Sequence, residues 1–308
     1  MKQKRKEGLA YICVLSAATL WGAIGISVRY IAEFGLSSIQ TACFRIFVTT
    51  FSLFLYILLT DASKFRIQIC DLKYFFGSGI LSILLNNVCY AVSVQLNSLS
   101  TAAILLYTSP FIVVLLAHIC FKEKLTVQKV IALTIGFGGC ILTIGLGMFT
   151  ENALTFVGLI AGIGSALGYA LYNLFTKVLV KKYHTLTVAF YTFLLAFIGV
   201  LFFSSPLQIV EKVAQIPGRI PFAVLSAALT SALPYLLFPV ALRHMESGKA
   251  SIVATFEVAA SSIFGFILYQ EKLEVMNLVG ILLIVVAIVI LNIPNKMSNN
   301  TNSIDKKK

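Results

Sequence analysis

Ten runs of roughly twenty apolar residues, separated by short polar corners, leave this chain almost no choice of solvent. They fall at about 9–31, 38–60, 74–96, 100–121, 126–147, 154–176, 185–205, 220–242, 250–270 and 274–293. At about 1.5 Å per residue, each is long enough to cross a hydrocarbon core of about 30 Å as a helix. Unpaired backbone groups are costly in hydrocarbon, so only helices and closed barrels span it. A barrel needs polar/apolar alternation along each strand, and these runs do not alternate. Composition agrees: 59% of residues are hydrophobic and 12% charged, where soluble domains carry roughly 25% charged residues. The expectation is an all-α polytopic membrane protein with ten transmembrane helices.

An even number of crossings puts both termini on one face, and the basic residues say which. With the N-terminus inside, the inner segments carry 19 of the 24 Lys and Arg residues. The outer segments hold Arg29, Lys212, Arg219 and Lys272, and Arg45 falls within span 2. Basic residues gather on cytoplasmic loops, so the reading is a multi-pass protein of the cytoplasmic membrane with both termini cytoplasmic. The net charge of +12 is then an orientation signal, and no nucleic-acid partner is expected. The basic start MKQKRKEG imitates a leader peptide, but the run behind it is too long for one and reads as span 1. Six cysteines, Cys13, Cys43, Cys70, Cys89, Cys120 and Cys140, show no metal spacing and read as packing residues. No cofactor is expected. Residues 295–308 are polar and low in complexity, and read as a disordered cytoplasmic tail.

The stretch 97–127 returns 148 residues later, without a gap, as 245–275. The first copy holds a polar notch, Thr108-Ser109-Pro110, and leaves the apolar phase through Lys122-Glu123-Lys124-Leu125. In the second copy Glu257-Val258 replaces Ser109-Pro110, and Gln270-Glu271-Lys272-Leu273 replaces the corner. The same offset pairs Trp21 with Tyr169, Arg29 with Lys177 and Asn87 with Tyr235. These pairings predict two copies, 1–148 and 149–294, of five spans each. Five is odd, so the copies enter the membrane in opposite senses, as two inverted repeats. That arrangement characterises secondary transporters, whose halves rock about a site at their interface.

With these residues in view, the chain resembles the drug/metabolite transporter superfamily, specifically its ten-span EamA-type permeases, over nearly its whole length. Trp21-Gly22 looks like that family's frequent Trp-Gly, and Phe44-Arg45 resembles its aromatic-x-Arg position. Ser100 to Pro110 followed by Glu123-Lys124-Leu125-Thr126 is similar to its pattern of small residues, proline and corner glutamate. Phe256-Glu257 with Glu271-Lys272-Leu273 resembles the pattern of its second half. Val258 stands where proline is usual, and Lys122 and Gln270 stand where glycine usually precedes the corner glutamate. The resemblance implies movement of small organic solutes, commonly export of amino acids and related metabolites, with protons as a candidate coupling ion.

Polar groups inside the spans must face protein or water. Glu257 lies deeper in an apolar run than any other carboxylate. It reads either as a solute-amine partner or proton carrier, or as a structural carboxylate held by backbone or a neighbouring hydroxyl. Arg45 could hold a solute carboxylate bidentately, or serve as a structural charge paired with Glu271 or snorkelling outward. Asn87 and Tyr90 share one helix face, as do Tyr169, Tyr172 and Asn173. With Trp21, Tyr235 and Glu257 they form the predicted lining of a central substrate cavity. The alternative for each is interhelical glue or an interfacial anchor. Pro110, Pro234 and Pro239 are expected to kink their helices, as gates or for packing alone. Gly158-x-x-x-Gly162 and Gly164-x-x-x-Gly168 predict close packing within the bundle.

A membrane-embedded enzyme would need a constellation of acids, histidines or nucleophiles within the spans. The three histidines, His118, His184 and His244, are well apart in sequence, and the acids sit almost entirely in loops. The expectation is a secondary transporter rather than an enzyme, with a non-transporting sensor or structural protein as the alternative.

Overall fold

Residues 2–145 and 155–293 are described by the computed structural model. The expected tail 295–308 lies outside the described residues. Among the described residues, ten apolar helices carry the ten predicted spans: α1 (Lys6–Ala32), α2 (Ser38–Thr60), α3 (Ile69–Leu96), α4 (Leu99–Phe121) and α5 (Val127–Ile144), then α6 (Phe156–Leu179), α7 (Thr185–Ser204), α8 (Pro217–His244), α9 (Ser247–Tyr269) and α10 (Val275–Asn292). Side-chain caps mark several starts. Ser37 accepts from the Gln40 N–H in a reciprocal capping box, Thr126 caps α5 and Thr155 caps α6. The helices α3 and α8 begin earlier than their apolar windows, through single tight turns at Ile69–Asp71 and Pro217–Arg219. A surface helix, Pro206–Ala214, which hydropathy does not announce, turns Ile209 into the core.

We call the side of the bundle that carries the N-terminus the terminal face. Glu7, Glu123, Lys177, Arg243 and Asn292 line one depression there, as ten crossings require.

Five spans are interrupted, the first of them α1, which turns at Ala23 between Gly22 and Ile24. The helix α4 breaks at Tyr107–Thr108 into α4a (Leu99–Leu106) and α4b (Ser109–Phe121). A break at Thr255 divides α9 into α9a (Ser247–Ala254) and α9b (Phe256–Tyr269). Both α3 and α8 widen into a π-turn, at Gly79–Leu84 and Ala228–Ala232. Pro110 sits in the first turn of α4b, and Pro234 in the first turn of the segment that follows the α8 π-turn, where no helical N–H is forfeited. Pro239 lies inside that segment.

These local features recur at the 148-residue offset seen in the sequence. Tyr107 and Thr255 mark equivalent breaks. Glu123 N–H donates to the Ala117 carbonyl, and Glu271 N–H donates to the Gly265 carbonyl, both at 3.3 Å. Lys122 and Gln270 close their helices in the left-handed region, at φ 56° and 55°. Glycine adopts that conformation without the Cβ penalty, which accounts for the glycine usual at these corners in the resembling permeases.

Packing follows composition. The helix α10 is the most apolar of the ten and the least buried, as a lipid-facing helix should be. It meets α5 backbone to backbone: a Cβ on Gly280 would lie 2.6 Å from the Gly139 carbonyl oxygen. The glycine-rich α6 is among the most enclosed. A Cβ on Gly168 would lie 2.7 Å from the Asn86 backbone nitrogen, so α3 and α6 touch closely, as the glycine spacing predicts.

Candidate functional site

The interrupted helices, together with α2, α6 and α7, line a cavity of about 210 Å³. Drug-sized sites run to about 300–1,000 Å³, so this one is scaled to a smaller solute. Its lining follows the offset. Eight pairs of residues 148 apart contribute to it: Trp21 and Tyr169, Arg45 and Phe193, Ile83 and Ser231, Asn87 and Tyr235, Ala103 and Ser251, Leu106 and Ala254, Tyr107 and Thr255, and Ser109 and Glu257.

One wall is aromatic. The Tyr235 ring lies edge-on to Trp21 at 5.4 Å, to Tyr172 at 5.2 Å and to Phe193 at 4.7 Å between centroids. Such T-shaped contacts fix ring positions beyond what area burial gives. Trp21 meets Tyr169 at 6.3 Å, and its buried indole N–H has no acceptor.

Two charged groups share the cavity. Arg45 enters from α2 and donates through Nη2 to the Ser231 hydroxyl at 2.8 Å, while its buried Nε has no partner. Glu257, at the start of α9b, accepts at Oε1 from the Tyr107 hydroxyl at 3.3 Å. A guanidinium with an unused donor and a carboxylate with one neutral partner can each still bind an opposite charge. In a cavity walled mostly by apolar groups, such contacts are stronger than in water.

The predicted site residues divide. Trp21, Asn87, Tyr90, Tyr169, Tyr235 and Glu257 line the cavity, with Arg45 and Pro110. Tyr172 and Asn173 do not. Tyr172 stands behind Tyr235, buried against Phe238. Asn173 shares a helix face with Tyr169 but lies one turn nearer the terminal face, fully buried, its amide donating back to the Tyr169 carbonyl. Pro234 and Pro239 lie away from the lining. Asn87 is at the cavity but spends its Nδ2 on the Ile83 carbonyl, and neighbouring Asn86 reaches the Ser165 carbonyl of α6.

The expected pairing of Arg45 with Glu271 is corrected. Arg45 sits seven residues into α2, about 10 Å below the end of the helix, whereas Glu271 lies in the corner at the rim and takes Arg29 at 2.5 Å. Sequence reasoning missed Tyr107, Ser231, Ser251 and Thr255. The offset alone could have found Thr255 from Tyr107, since both interrupt their helices at equivalent places. Among the described residues no group of acids, histidines or cysteines could hold a metal ion.

Comparison with known proteins agrees with this architecture. The sequence model described as "EamA-like transporter family" matches residues 8–145 and again residues 156–293. A relative named "Uncharacterized transporter YoaV", from Bacillus subtilis (strain 168), is 22% identical over 274 residues, 88% of this chain and 92% of the relative. "Uncharacterized inner membrane transporter YicL", from Salmonella typhimurium, is 22% identical over 289 residues, covering 92% and 95%. A solved crystal structure shares the fold at a TM-score of 0.73 with 13% identity, over 91% of this chain and 96% of the other. The chain is a polytopic membrane protein that belongs to the EamA-like transporter family, within the drug/metabolite transporter superfamily.

Proposed function

We propose that this protein is a secondary transporter that carries a small zwitterionic solute, an amino acid or a close metabolite, out of the cell by alternating access. The observation that carries the reading is the pair of opposite charges in one small cavity. Arg45 offers a planar donor fork to a carboxylate, and Glu257 offers an acceptor to an ammonium. The aromatic wall of Trp21, Tyr169 and Tyr235 takes the apolar remainder of the solute. Two family matches of five spans each, an odd number, support halves that face opposite ways and share the cavity between them. The bias of basic residues supports a cytoplasmic terminal face. Glu257 is also the group through which a proton gradient would drive the cycle.

Purified protein heated against a panel of amino acids and common metabolites should be stabilised by its solute. Proteoliposomes preloaded with that solute should then show counterflow. A panel that yields no stabilising zwitterion and no counterflow overturns the reading in favour of a non-transporting membrane protein.

A further inference from the structure

The cavity extends toward one face only. Six of its lining residues lack a lining counterpart at the 148-residue offset, and all six come from the first half: Ile24, Ala42, Ile46, Asn86, Tyr90 and Pro110. By the order of crossings, the first five lie in the parts of α1, α2 and α3 remote from the terminal face. Three of their counterparts, Tyr172, Phe190 and Phe238, lie in terminal-face halves of their helices and are buried. The terminal side is therefore shut.

That closure has a specific fastening. Glu123, in the corner after α4b, accepts from the backbone N–H of Ser247 at 2.7 Å and of Gly248 at 3.1 Å, in the first turn of α9a. Lys129 lies 3.9 Å from the same carboxylate and 2.8 Å from Glu246. The Glu123 side chain is only 9% exposed, and seven of the eight residues of α9a are buried. Behind the fastening runs a polar seam. Ser251, whose residue lines the cavity, and Ser247, one turn nearer the terminal face, both bury hydroxyl oxygens without partners. Asn173 Oδ1, on α6 packed against α9a, is also unpartnered. Buried polar atoms without partners raise the free energy of a packed segment, and water entering along the seam would relieve them.

At the opposite face the offset counterpart is disengaged. The groups equivalent to Ser247 and Gly248 are Leu99 and Ser100, which open α4a. Leu99 is 64% exposed. Glu271 turns instead to Arg29, and its side chain is 47% exposed. A half-exposed ion pair is a weak tie. A carboxylate on two N–H groups at a helix start, shielded from water, is a stronger one.

We propose that Glu123 and Glu271 are alternating latches. In this structure Glu123 fastens α9a and shuts the terminal side. In the state open to the terminal side, Glu123 releases Ser247 and Gly248, while Glu271 leaves Arg29 and fastens the backbone N–H groups of Leu99 and Ser100. The latches rest on the alternating-access reading above, and they name the contacts that exchange.

The test is labelling by a membrane-impermeant maleimide, applied to each side of proteoliposomes and counted at the single peptide by mass spectrometry. Ser251→Cys reports the seam and Leu99→Cys reports the opposite end. Glu123→Gln should raise Ser251→Cys labelling from the terminal side by about tenfold and lower Leu99→Cys labelling, since loss of bonds to a charged group moves a two-state ratio that far. Glu271→Gln, at an exposed position that folding tolerates, should further protect Ser251→Cys and leave Leu99→Cys open. Counterflow by the parent protein with labelling unmoved by either variant overturns the latches alone. Absence of counterflow in the parent overturns the transport reading beneath them.

Discussion

Tyr107, at the break of α4, donates its hydroxyl to Glu257, which begins the helix beyond the equivalent break of α9. The two interruptions thus meet across the cavity, one supplying the acid and the other its neutral donor. Loss of either group should change how the cavity handles positive charge.

For Glu257, the neutral variant decides. Glu257→Gln keeps shape and removes the titrating group, so the dependence of solute flux on pH should flatten. Tyr107→Phe removes one hydrogen bond, worth about 1 kcal/mol, and should weaken apparent affinity roughly fivefold while the pH dependence persists. Counterflow measured across a pH series separates the two, and an unchanged profile in Glu257→Gln would reject the coupling role.

Arg45 is tested by pairing a variant with a truncated ligand. A lysine is a point charge and cannot engage Ser231 and a carboxylate with one planar fork. Arg45→Lys should therefore weaken binding of the free acid by roughly tenfold or more. Solutes lacking the carboxylate should bind parent and variant alike. Thermal shift with an amino acid and its methyl ester makes the comparison.

The α5–α10 contact predicts a stability contrast between adjacent glycines. A Cβ on Gly139 would lie 2.7 Å from the Gly280 carbonyl oxygen, whereas one on Gly138 meets nothing within 4 Å. Gly139→Ala should cost about 1–3 kcal/mol through overpacking. Gly138→Ala should be neutral or stabilise by about 0.5–1 kcal/mol, as alanine does in helices. Melting in detergent reads both.

His184 gives a pH prediction outside the spans. Its Nδ1 accepts from the Leu186 N–H to cap α7 at 3.2 Å. Burial, with Lys64 and Arg243 nearby, lowers its pKa below the ordinary histidine value. The folded state thus disfavours the proton that the unfolded chain accepts. Stability is full above the unfolded pKa and falls as pH drops from about 7 toward 5. His184→Asn keeps a capping oxygen that does not titrate, so its melting temperature should fall less over that interval.

Lys122 offers a gain. Its left-handed backbone, φ 56°, carries a penalty that glycine avoids. Lys122→Gly should stabilise the protein by about 0.5–1 kcal/mol after the entropic cost of glycine, with flux unchanged. A lowered melting temperature would count against it.

Hydropathy was enough to read the ten crossings, because lipid demands apolar length and little else. The interruptions were less legible. Span 4 carries Pro110, but its helix breaks three residues earlier, at Tyr107, and α9 breaks at Thr255 with no proline near. At each break a threonine hydroxyl donates to a helix carbonyl, Thr108 to Leu105 and Thr255 to Ile252, a local bond that hydropathy does not register. Facing was the other weak point. Periodicity placed Tyr172 and Asn173 with Tyr169, and only the tertiary arrangement puts Tyr235 in front of one and closes the terminal side over the other. Arg45 was hardest of all, since sequence gives a position along the helix but not which neighbouring rim residue is within reach.

The two π-turns speak to ancestry. Each packs one residue more than an α-helical turn into the same rise, and Gly79–Leu84 and Ala228–Ala232 coincide at the offset that relates the two family matches. Two independent insertions at the same place would be an extravagant history. A single event in a five-helix ancestor, copied when the gene doubled, needs only one. By that account the widened turn is older than the fusion of the halves, and a stand-alone five-helix cousin that pairs with itself should carry it too.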